Sequence, residues 1–406
     1  MYLVCLLLTS TSLANETSQT VRGFVYDQAT NSPIPGVKVL IVGSNPKKGT
    51  FTDDFGAFEI TDVPIGRHDL SFSFLGYSTF IQREVRFDGG EETILEIYLT
   101  ENTRELGEVV VTSDQRKVRN EGAIVSARSL SVEELSRIPG SLDDPARMAR
   151  KFPGVAPSPY ITTNEIAIRG NASRAVLWRL DDIDIYNPNH FGLVGGSGGS
   201  LTLFSQRLLS NTDFYSGAFP ADFGNALGGV YDVRFRNGNT KKRQHSFQLN
   251  ILGVDLATEG PLSKNGRSSY IANYRLSATS LVEQFLDLGF LPIYQDLSFK
   301  FHFKTKKGAS FDVFGLGGIS STEQRAVLDT AAWSDPNSGA TNYAYFSRAI
   351  TGTFGASYTK PISKKTYLKS TLVGTGIKTD FDGWYVQHDL VTCLLYTSDA
   401  ADEHSW

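Results

Sequence analysis

Residues 244–391 alternate apolar and polar side chains with a period of two, and this pattern constrains the fold more than any other feature of the chain. Residues 297–304 place four apolar side chains on one parity, and residues 350–358 place Ile, Gly, Phe, Ala and Tyr on one parity against Thr and Ser on the other. Successive side chains of a β-strand point to opposite faces, so the pattern predicts strands with one apolar and one polar face. A soluble sandwich and a transmembrane barrel both give this alternation.

The lengths of the connections between these strands favour a barrel. Short connections at 263–267, 306–308 and 361–365 alternate with long ones at about 279–291 and 318–345. Outer-membrane barrels have short turns on one side of the membrane and longer loops on the other. After the first residues, no stretch reaches the ~18 apolar residues of a membrane-spanning helix, so any membrane insertion must use strands.

A change of parity near residue 252 predicts an additional turn. The apolar residues of 247–251 share one parity and those of 254–256 share the other. We therefore expect 247–260 to form a hairpin, although a β-bulge in one strand would cause the same shift. The count is then about eight strands by Leu390, against ~22 in transporters with a plugged lumen, so the chain is expected to be a fragment.

Residues 21–100 are predicted to form a small domain of short strands joined by Pro- and Gly-containing turns. The sequences GFVYD at 23–27, PIPGV at 33–37 and TDDFGAF at 52–58 resemble the carboxypeptidase-regulatory-like domain. That domain is a non-catalytic accessory module, and the resemblance implies an Ig-like or transthyretin-like β-sandwich.

Residues 106–113 contain a short β-branched run between polar stretches, formed by Glu108, Val109, Val110, Val111 and Thr112. Alone, such a run is more often an ordinary buried strand. In its place before the motifs described next, it resembles the TonB box of TonB-dependent receptors. A peptide of this kind binds by adding a strand to the sheet of its partner, so the resemblance assigns TonB binding to these five residues.

Residues 115–236 carry several motifs in a characteristic order. They are LSVEEL at 130–135, IPG at 138–140, KFPGV at 151–155, IAIRG at 166–170, LDDIDI at 180–185, YSGAFPADFG at 215–224 and GGVYDV at 228–233. Their order and spacing resemble the plug domain of TonB-dependent receptors, which implies structural roles for Arg169, Gly170 and Asp181. Asp182 stands where that family usually has Gly, which leaves the conformation of this turn open.

Residues 186–191 combine aromatic, amide and imidazole groups and supply the candidate substrate-binding residues. Tyr186, Asn187, Asn189 and His190 suit hydrogen bonding and stacking with a polar ligand. The Asn-Pro-Asn sequence equally predicts a structural turn. Arg169 is expected to form an ion pair between the plug and the barrel wall rather than a ligand contact.

Charge and residue chemistry argue against nucleic-acid binding, metal binding and catalysis. The chain has 39 Lys and Arg against 43 Asp and Glu, a net charge of -4, and so offers no basic patch for nucleic acid. Six scattered His and two Cys give no zinc or disulfide pattern, and the Asp-rich run at 181–184 lacks the Gly and distal Glu of an EF-hand loop. We expect no catalytic residues, no metal and no cofactor.

The two ends of the chain are expected to lie outside the folded domains. Residues 1–14 resemble a secretory signal peptide with its cleavage site, and the absence of Lys or Arg before the apolar run predicts that its true start lies upstream. Residues 393–406 drop the alternation and look like a translated sequencing-adapter tail, so we expect them to be non-native.

Together these resemblances imply a mainly β chain: an N-terminal β-sandwich, an α+β plug domain at 115–236 and an incomplete transmembrane antiparallel β-barrel at 244–391. The implied function is import of a scarce, bulky substrate across the outer membrane, powered through TonB, with the sandwich in the periplasm. The implied partners are TonB with its inner-membrane complex, outer-membrane lipid, an unidentified substrate and a surface lipoprotein. A signalling or adhesion receptor of the same architecture is one alternative. An enzyme with a regulatory β-domain is the other, and it would need a zinc or nucleophile constellation that this sequence lacks.

Overall fold

The computed structural model describes residues 18–87, 92–101, 126–130, 141, 144–158, 163–210, 212–250, 253–279, 290–306, 308–326, 342–363, 366–386 and 395–398. The chain divides into two compact units, residues 1–109 and 110–406. The described part is mainly β, which confirms the predicted fold class. None of the helices in these ranges combines the length and the apolar character needed to cross a bilayer.

The first unit is a β-sandwich of two sheets around one core. Its strands are β1 Ser18–Asp27, β2 Lys38–Ile41, β3 Gly49–Phe51, β4 Ala57–Pro64, β5 Gly66–Ser73, β6 Phe80–Phe87 and β7 Thr93–Leu99. One sheet has the order β4-β1-β7 and the other the order β3-β2-β5-β6. Val21 and Val25 of β1 and Phe72 of β5 are fully buried between them, because alternate side chains of each strand point to the core. The predicted sandwich is confirmed.

The second unit begins with a domain built on a five-stranded sheet, which we call the central domain (residues 126–236). Its strands are β8 Ala127–Leu130, β9 Val155–Pro157, β10 Ile166–Ile168, β11 Val176–Leu180, β12 Ile183–Ile185, β13 Asn189–His190, β14 Leu201–Thr202, β15 Thr212–Tyr215 and β16 Gly229–Val233. The main sheet has the order β12-β11-β16-β15-β8. Helix α1, Pro145–Met148, starts at the N-cap Asp144, and 3₁₀ turns occupy Ala149–Lys151 and Ser173–Ala175.

The second unit continues as an eight-stranded antiparallel sheet, which we call the long sheet. Its strands are β17 Gln244–Asn250, β18 Gly253–Pro261, β19 Ser268–Ser277, β20 Phe290–Lys304, β21 Ser310–Gln324, β22 Tyr343–Ser363, β23 Thr366–Val386 and β24 Leu395–Ser398, each paired with the next along the chain. β17 and β18 form a hairpin with Asn250 opposite Gly253, which confirms the hairpin predicted at 247–260.

The ends of the strands match the predicted alternation of connections with one correction. Short connections join β18 to β19, β20 to β21 and β22 to β23, and longer ones join β19 to β20 and β21 to β22. β21 runs to Gln324, so the long connection predicted to start near Gly318 starts later. The alternation in the sequence is lost at Gly317-Gly318, because glycine has no side chain to indicate a face. The hydrogen-bonded ladder between β20 and β21 nevertheless continues through both glycines. β24 lies within 393–406, and the non-native origin of that segment stays a prediction.

The long sheet has its polar side chains buried and its apolar side chains exposed. Buried polar residues on the face that packs on the central domain, the covered face, are Asn273, Asp296, Ser298, Lys300, Ser320, Thr351, Thr353 and Ser357. Exposed apolar residues on the opposite, outer face are Phe247, Leu249, Leu256, Leu297, Phe303, Phe311, Ile319, Ile350, Phe354, Tyr358, Leu368 and Leu372. Ile271, Phe314 and Leu316 of the covered face join the core of the central domain. This polarity is the reverse of a soluble sheet.

Candidate functional site

Residues 186–191, which we call the crossing segment, lie across the covered face of the long sheet. The main-chain N–H of Tyr186 donates to the Thr375 hydroxyl of β23 at 3.3 Å. The Thr351 hydroxyl of β22 donates to the carbonyl of Asn187 at 3.0 Å. The N–H of Phe191 donates to the Ser320 hydroxyl of β21 at 2.8 Å. The segment therefore binds three successive strands through its backbone.

His190 extends these contacts to two further strands. Its Nε2 donates to Asp296 Oδ2 of β20 at 2.8 Å, and Arg275 of β19 donates from Nε to Asp296 Oδ1 at 2.9 Å. Another nitrogen of the Arg275 guanidinium donates to the carbonyl of Thr202 in β14 at 2.7 Å, so the arginine also holds the central domain. One carboxylate thus joins the crossing segment to the covered face.

The residues that receive the crossing segment lie within two residues of one level of the long sheet. Arg275 is opposite Asp296, Asp296 is opposite Gly318, and Gly318 is opposite Thr351. Hydrogen-bonded neighbours in adjacent strands form a rung perpendicular to the strand direction. The crossing segment therefore runs across the strands instead of along them.

Burial keeps the His190 side chain neutral. It is 1% exposed and packs against the ring of Tyr294, with 4.7 Å between the ring centroids. Burial lowers the pKa of His190, and the hydrogen bond to Asp296 opposes this shift without reversing it. Within the described residues its Nδ1 has no hydrogen-bond partner, so an imidazolium there would carry a buried, unpaired N–H.

A network of buried amides holds the crossing segment from the side of the central domain. Asn189 donates to the side chain of Asn187 at 2.5 Å, and Asn164 donates to Asn189 at 2.7 Å and to Asp144 at 2.9 Å. Asn187 donates to the carbonyl of Gly198 at 2.9 Å. Burial raises the pKa of Asp144, although the hydrogen bonds from Asn164 and the α1 backbone oppose the shift. The conformation of 186–191 is thus fixed from both sides.

The β11–β12 turn makes a separate, ionic contact with the long sheet. Asp181 and Asp182 have φ values of +50° and +77°, as expected for a two-residue type I′ turn, in which Gly is favoured at the second position. The Asp182 carboxylate pairs with Arg234 of the central domain and with Lys369 of β23, the latter at 2.7 Å. These contacts explain how a residue with a side chain is retained at this position.

A third contact follows the end of the central domain. Arg236 donates two hydrogen bonds to Glu259 of β18, at 2.9 and 2.7 Å. The Lys300 ammonium of β20 donates to the carbonyl of Phe235 at 2.7 Å. A bidentate, largely buried ion pair thus holds the junction between the central domain and the long sheet.

The structure separates the four candidate substrate-binding residues into two groups. Asn187, Asn189 and His190 are buried at 5%, 0% and 1% exposure and bound to protein groups. Tyr186 has a 60% exposed side chain. Substrate contact by this segment stays a prediction, and Tyr186 is the member whose side chain is open to a ligand in this conformation.

The other predicted residues are placed as follows. Arg169 is exposed and donates to the Ser126 hydroxyl at 3.1 Å, and Gly170 lies at φ +81° in the turn after β10. The ion pair between the central domain and the long sheet that was expected at Arg169 is found instead at Asp182. The candidate TonB-binding residues 108–112 lie outside the described residues.

Four aromatic rings that sequence reasoning missed form a cluster on β22 and β23. Tyr343 lies 4.5 Å from Tyr385 and 5.7 Å from Tyr345, and Tyr345 lies 5.9 Å from Phe381, between ring centroids. They share the parity of Thr351 and Thr375 and therefore point to the covered side, near the end with the long connections. The sequence signal that could have identified this cluster is that all four aromatic residues stand at odd positions within 343–385.

Metal chemistry finds no support in the described part of the chain. No group of three or more His, Cys, Asp or Glu residues there is arranged to hold a metal ion.

Comparison with known proteins identifies the first unit. Residues 21–111 match the family model of the CarboxypepD_reg-like domain. The match extends over the first four residues of the predicted TonB-binding segment. No curated protein matches the chain.

Three solved structures show weak similarity to the chain. A cohesin-X-dockerin complex from Acetivibrio cellulolyticus is 25% identical over 20% of this chain and 56% of that chain, with a TM-score of 0.18. A ferric enterobactin receptor variant from Pseudomonas aeruginosa is 13% identical over 67% and 44%, with a TM-score of 0.41. The siderophore receptor PirA from Pseudomonas aeruginosa is 13% identical over 65% and 45%, with a TM-score of 0.42. The chain spans less than half the length of these two receptors, and TM-scores this low carry no argument about function.

Proposed function

We propose that this chain is the N-terminal part of an outer-membrane, TonB-dependent receptor that imports a bulky substrate. The observation that supports it is the polarity of the long sheet. A sheet with buried Asp, Lys, Ser and Thr on one face and exposed Phe, Leu and Ile on the other is unstable in water, where the exposed apolar face would aggregate. In a bilayer the same sheet is stable, because lipid covers the apolar face.

The extent of the apolar surface matches a bilayer. On the outer face of β22 the first charged residues are Arg348 at one end and Lys360 at the other. Between them the outward positions are Ile350, Gly352, Phe354, Ala356 and Tyr358. The twelve steps from Arg348 to Lys360, at ~3.3 Å each, span roughly 40 Å along the strand, or about 30 Å at the ~40° tilt of barrel strands, close to the ~25 Å apolar band of outer-membrane barrels.

An aromatic row borders this surface at the end with the short connections. Phe303 is opposite Phe311, and Phe311 is opposite Tyr358, so the three rings lie on one rung. All three are exposed on the outer face. Rings at the membrane interface form such girdles in outer-membrane barrels.

The central domain takes the role of the plug in this proposal. It covers the polar face of the long sheet and shares its core with that face, so a solute passes only when the central domain moves. TonB would supply the work by binding residues 108–112 as an added strand. Tyr186 and the ring cluster of Tyr343, Tyr345, Phe381 and Tyr385 would offer stacking and hydroxyl groups to the substrate.

The proposal places the long sheet in the outer membrane and the CarboxypepD_reg-like domain in the periplasm. Its partners are TonB with its inner-membrane complex, outer-membrane lipid, the substrate and a surface lipoprotein. The enterobactin receptor variant and the siderophore receptor PirA are only weakly similar to the chain, so the substrate class stays open.

A nitroxide scan tests the polarity that supports this proposal. Residues 350–358 of the complete receptor would be labelled one at a time in lipid bilayers. Labels at even positions should be accessible to oxygen dissolved in lipid and protected from a water-soluble nickel complex, while odd positions should be protected from both. Equal access of the nickel complex to the even positions would show a water-facing sheet and refute the membrane assignment.

A further inference from the structure

The crossing segment differs from the other attachments of the central domain in the number of strands that it engages. It reaches β20 to β23 directly and β19 through Asp296, all close to one rung. Three of its bonds use main-chain groups, so no side-chain rotation within the segment releases them. The Asp182–Lys369 contact, in comparison, joins two partly exposed side chains and engages a single strand of the long sheet, β23.

We infer that residues 186–191 are the anchor of the central domain, the last part of it to leave the long sheet when the domain opens, apart from the covalent junction at Arg236. The mechanical meaning of this anchor rests on the proposed function, whereas its existence does not. Within it, His190 is a positioning residue, because its imidazole fixes the register of the segment against Asp296.

The energetic ranking of the contacts follows from burial. Exposed ion pairs are screened by water and contribute little to stability. Removing one partner of a buried, hydrogen-bonded charge leaves the other uncompensated, which is strongly unfavourable. Asp296 is 2% exposed and receives both His190 and Arg275, so opening the crossing segment removes one of the two donors to a buried carboxylate and leaves it with Arg275 alone.

The topology provides an internal comparison. β8 is the edge of the five-stranded sheet opposite β12, which directly precedes the crossing segment. Among the described strands, β8 pairs only with β15, over four residues. Short edge strands with one neighbour open at low free-energy cost, so β8 should exchange its amide hydrogens long before the crossing segment does.

Native-state hydrogen exchange on the complete receptor, with mass-spectrometric detection of peptides, tests the anchor. In the wild type, the peptide containing 186–191 should exchange at least about tenfold more slowly than the peptide containing 126–130. His190→Ala should accelerate exchange of 186–191 at least about tenfold, the effect expected for loss of a hydrogen bond to a charged group. Lys369→Met is the matched control. It should accelerate amide exchange in residues 181–185 and leave the exchange rate of residues 186–191 unchanged.

A conservative variant separates positioning from general damage. His190→Gln keeps a donor for Asp296 and should restore slow exchange to within about threefold of the wild type, even where His190→Ala folds poorly. The inference is overturned if 186–191 exchanges as fast as 126–130 in the wild type, or if His190→Gln is as fast as His190→Ala in a folded receptor. No substrate is needed, so a failure of transport and a failure of the anchor are distinguishable.

Discussion

His190 is a histidine that remains neutral next to a carboxylate. The carboxylate of Asp296 already receives the Arg275 guanidinium, so the imidazole has no unbalanced negative charge to neutralise. Burial then decides the protonation state, and the side chain acts as a neutral donor through Nε2. This arrangement gives the contact a defined dependence on pH.

We expect the central domain to lose stability in mild acid because of His190. Its folded pKa is below the unfolded value of about 6.5, so above that pH neither state is protonated and the residue contributes no pH dependence. Below it the unfolded state binds a proton that the folded state does not, and the free energy of unfolding falls by up to ~1.4 kcal/mol per pH unit. Thermal unfolding of the complete receptor between pH 8 and 5 measures this.

The control for this pH effect is His190→Gln, which has no titratable group at the position. The variant should unfold with a flatter dependence on pH below about 6.5 than the wild type. An identical acid response in both proteins would contradict the assignment to His190.

Asp182 illustrates a balance between backbone strain and charge pairing. Its φ of +77° costs ~1 kcal/mol relative to Gly, whereas its pairing with Arg234 and Lys369 stabilises the turn by a similar amount after screening. We therefore expect Asp182→Gly to change the free energy of unfolding by less than ~1 kcal/mol. Asp182→Ala, which keeps the strain and loses the pairs, should destabilise by ~1 kcal/mol. Chemical denaturation of both variants checks the difference, and equal losses would refute this balance.

At the scale of the strand, β22 shows how depth in the membrane should control the cost of a charge. Phe354 is 58% exposed at the middle of the outward apolar positions. Phe354→Arg should reduce the free energy of folding into lipid by ~2–4 kcal/mol, whereas Ile362→Arg, beyond Lys360, should change it by ~0–1 kcal/mol. Folding into lipid vesicles, titrated with urea, provides the measurement. A soluble sheet would show no cost at either position.

The alternation of β20 and β22 made these elements predictable, because every second residue must suit the same environment over many positions. The shift of parity near residue 252 also located the β17–β18 hairpin. Parity failed where glycines interrupt it, at the end of β21. The pairing of His190 with Asp296, 106 residues apart, was beyond sequence reasoning, since polar residues of one parity have many candidate partners and only the register selects one. The same holds for Lys369 with Asp182.

At the scale of the whole molecule, the proposal requires a mechanical connection to TonB through residues 108–112. Deleting Glu108–Thr112 from the complete receptor should abolish binding of the purified C-terminal domain of TonB, because the added strand is formed by the backbone of these residues. The receptor itself should remain folded. Replacing Val109, Val110 and Val111 by Thr keeps β propensity and should preserve most of the binding. Isothermal titration measures both, and unchanged affinity after the deletion would contradict the assignment.

In the proposed receptor, the position of the crossing segment would also limit the route of a solute. Because the segment lies across the covered face of β20 to β23, it would block that sector of the channel to a solute that moves along these strands. If residues 186–191 stay in place when the central domain opens, the substrate must pass along a different sector of the channel. The side chains that select the substrate during passage would then lie on the side opposite β20 to β23.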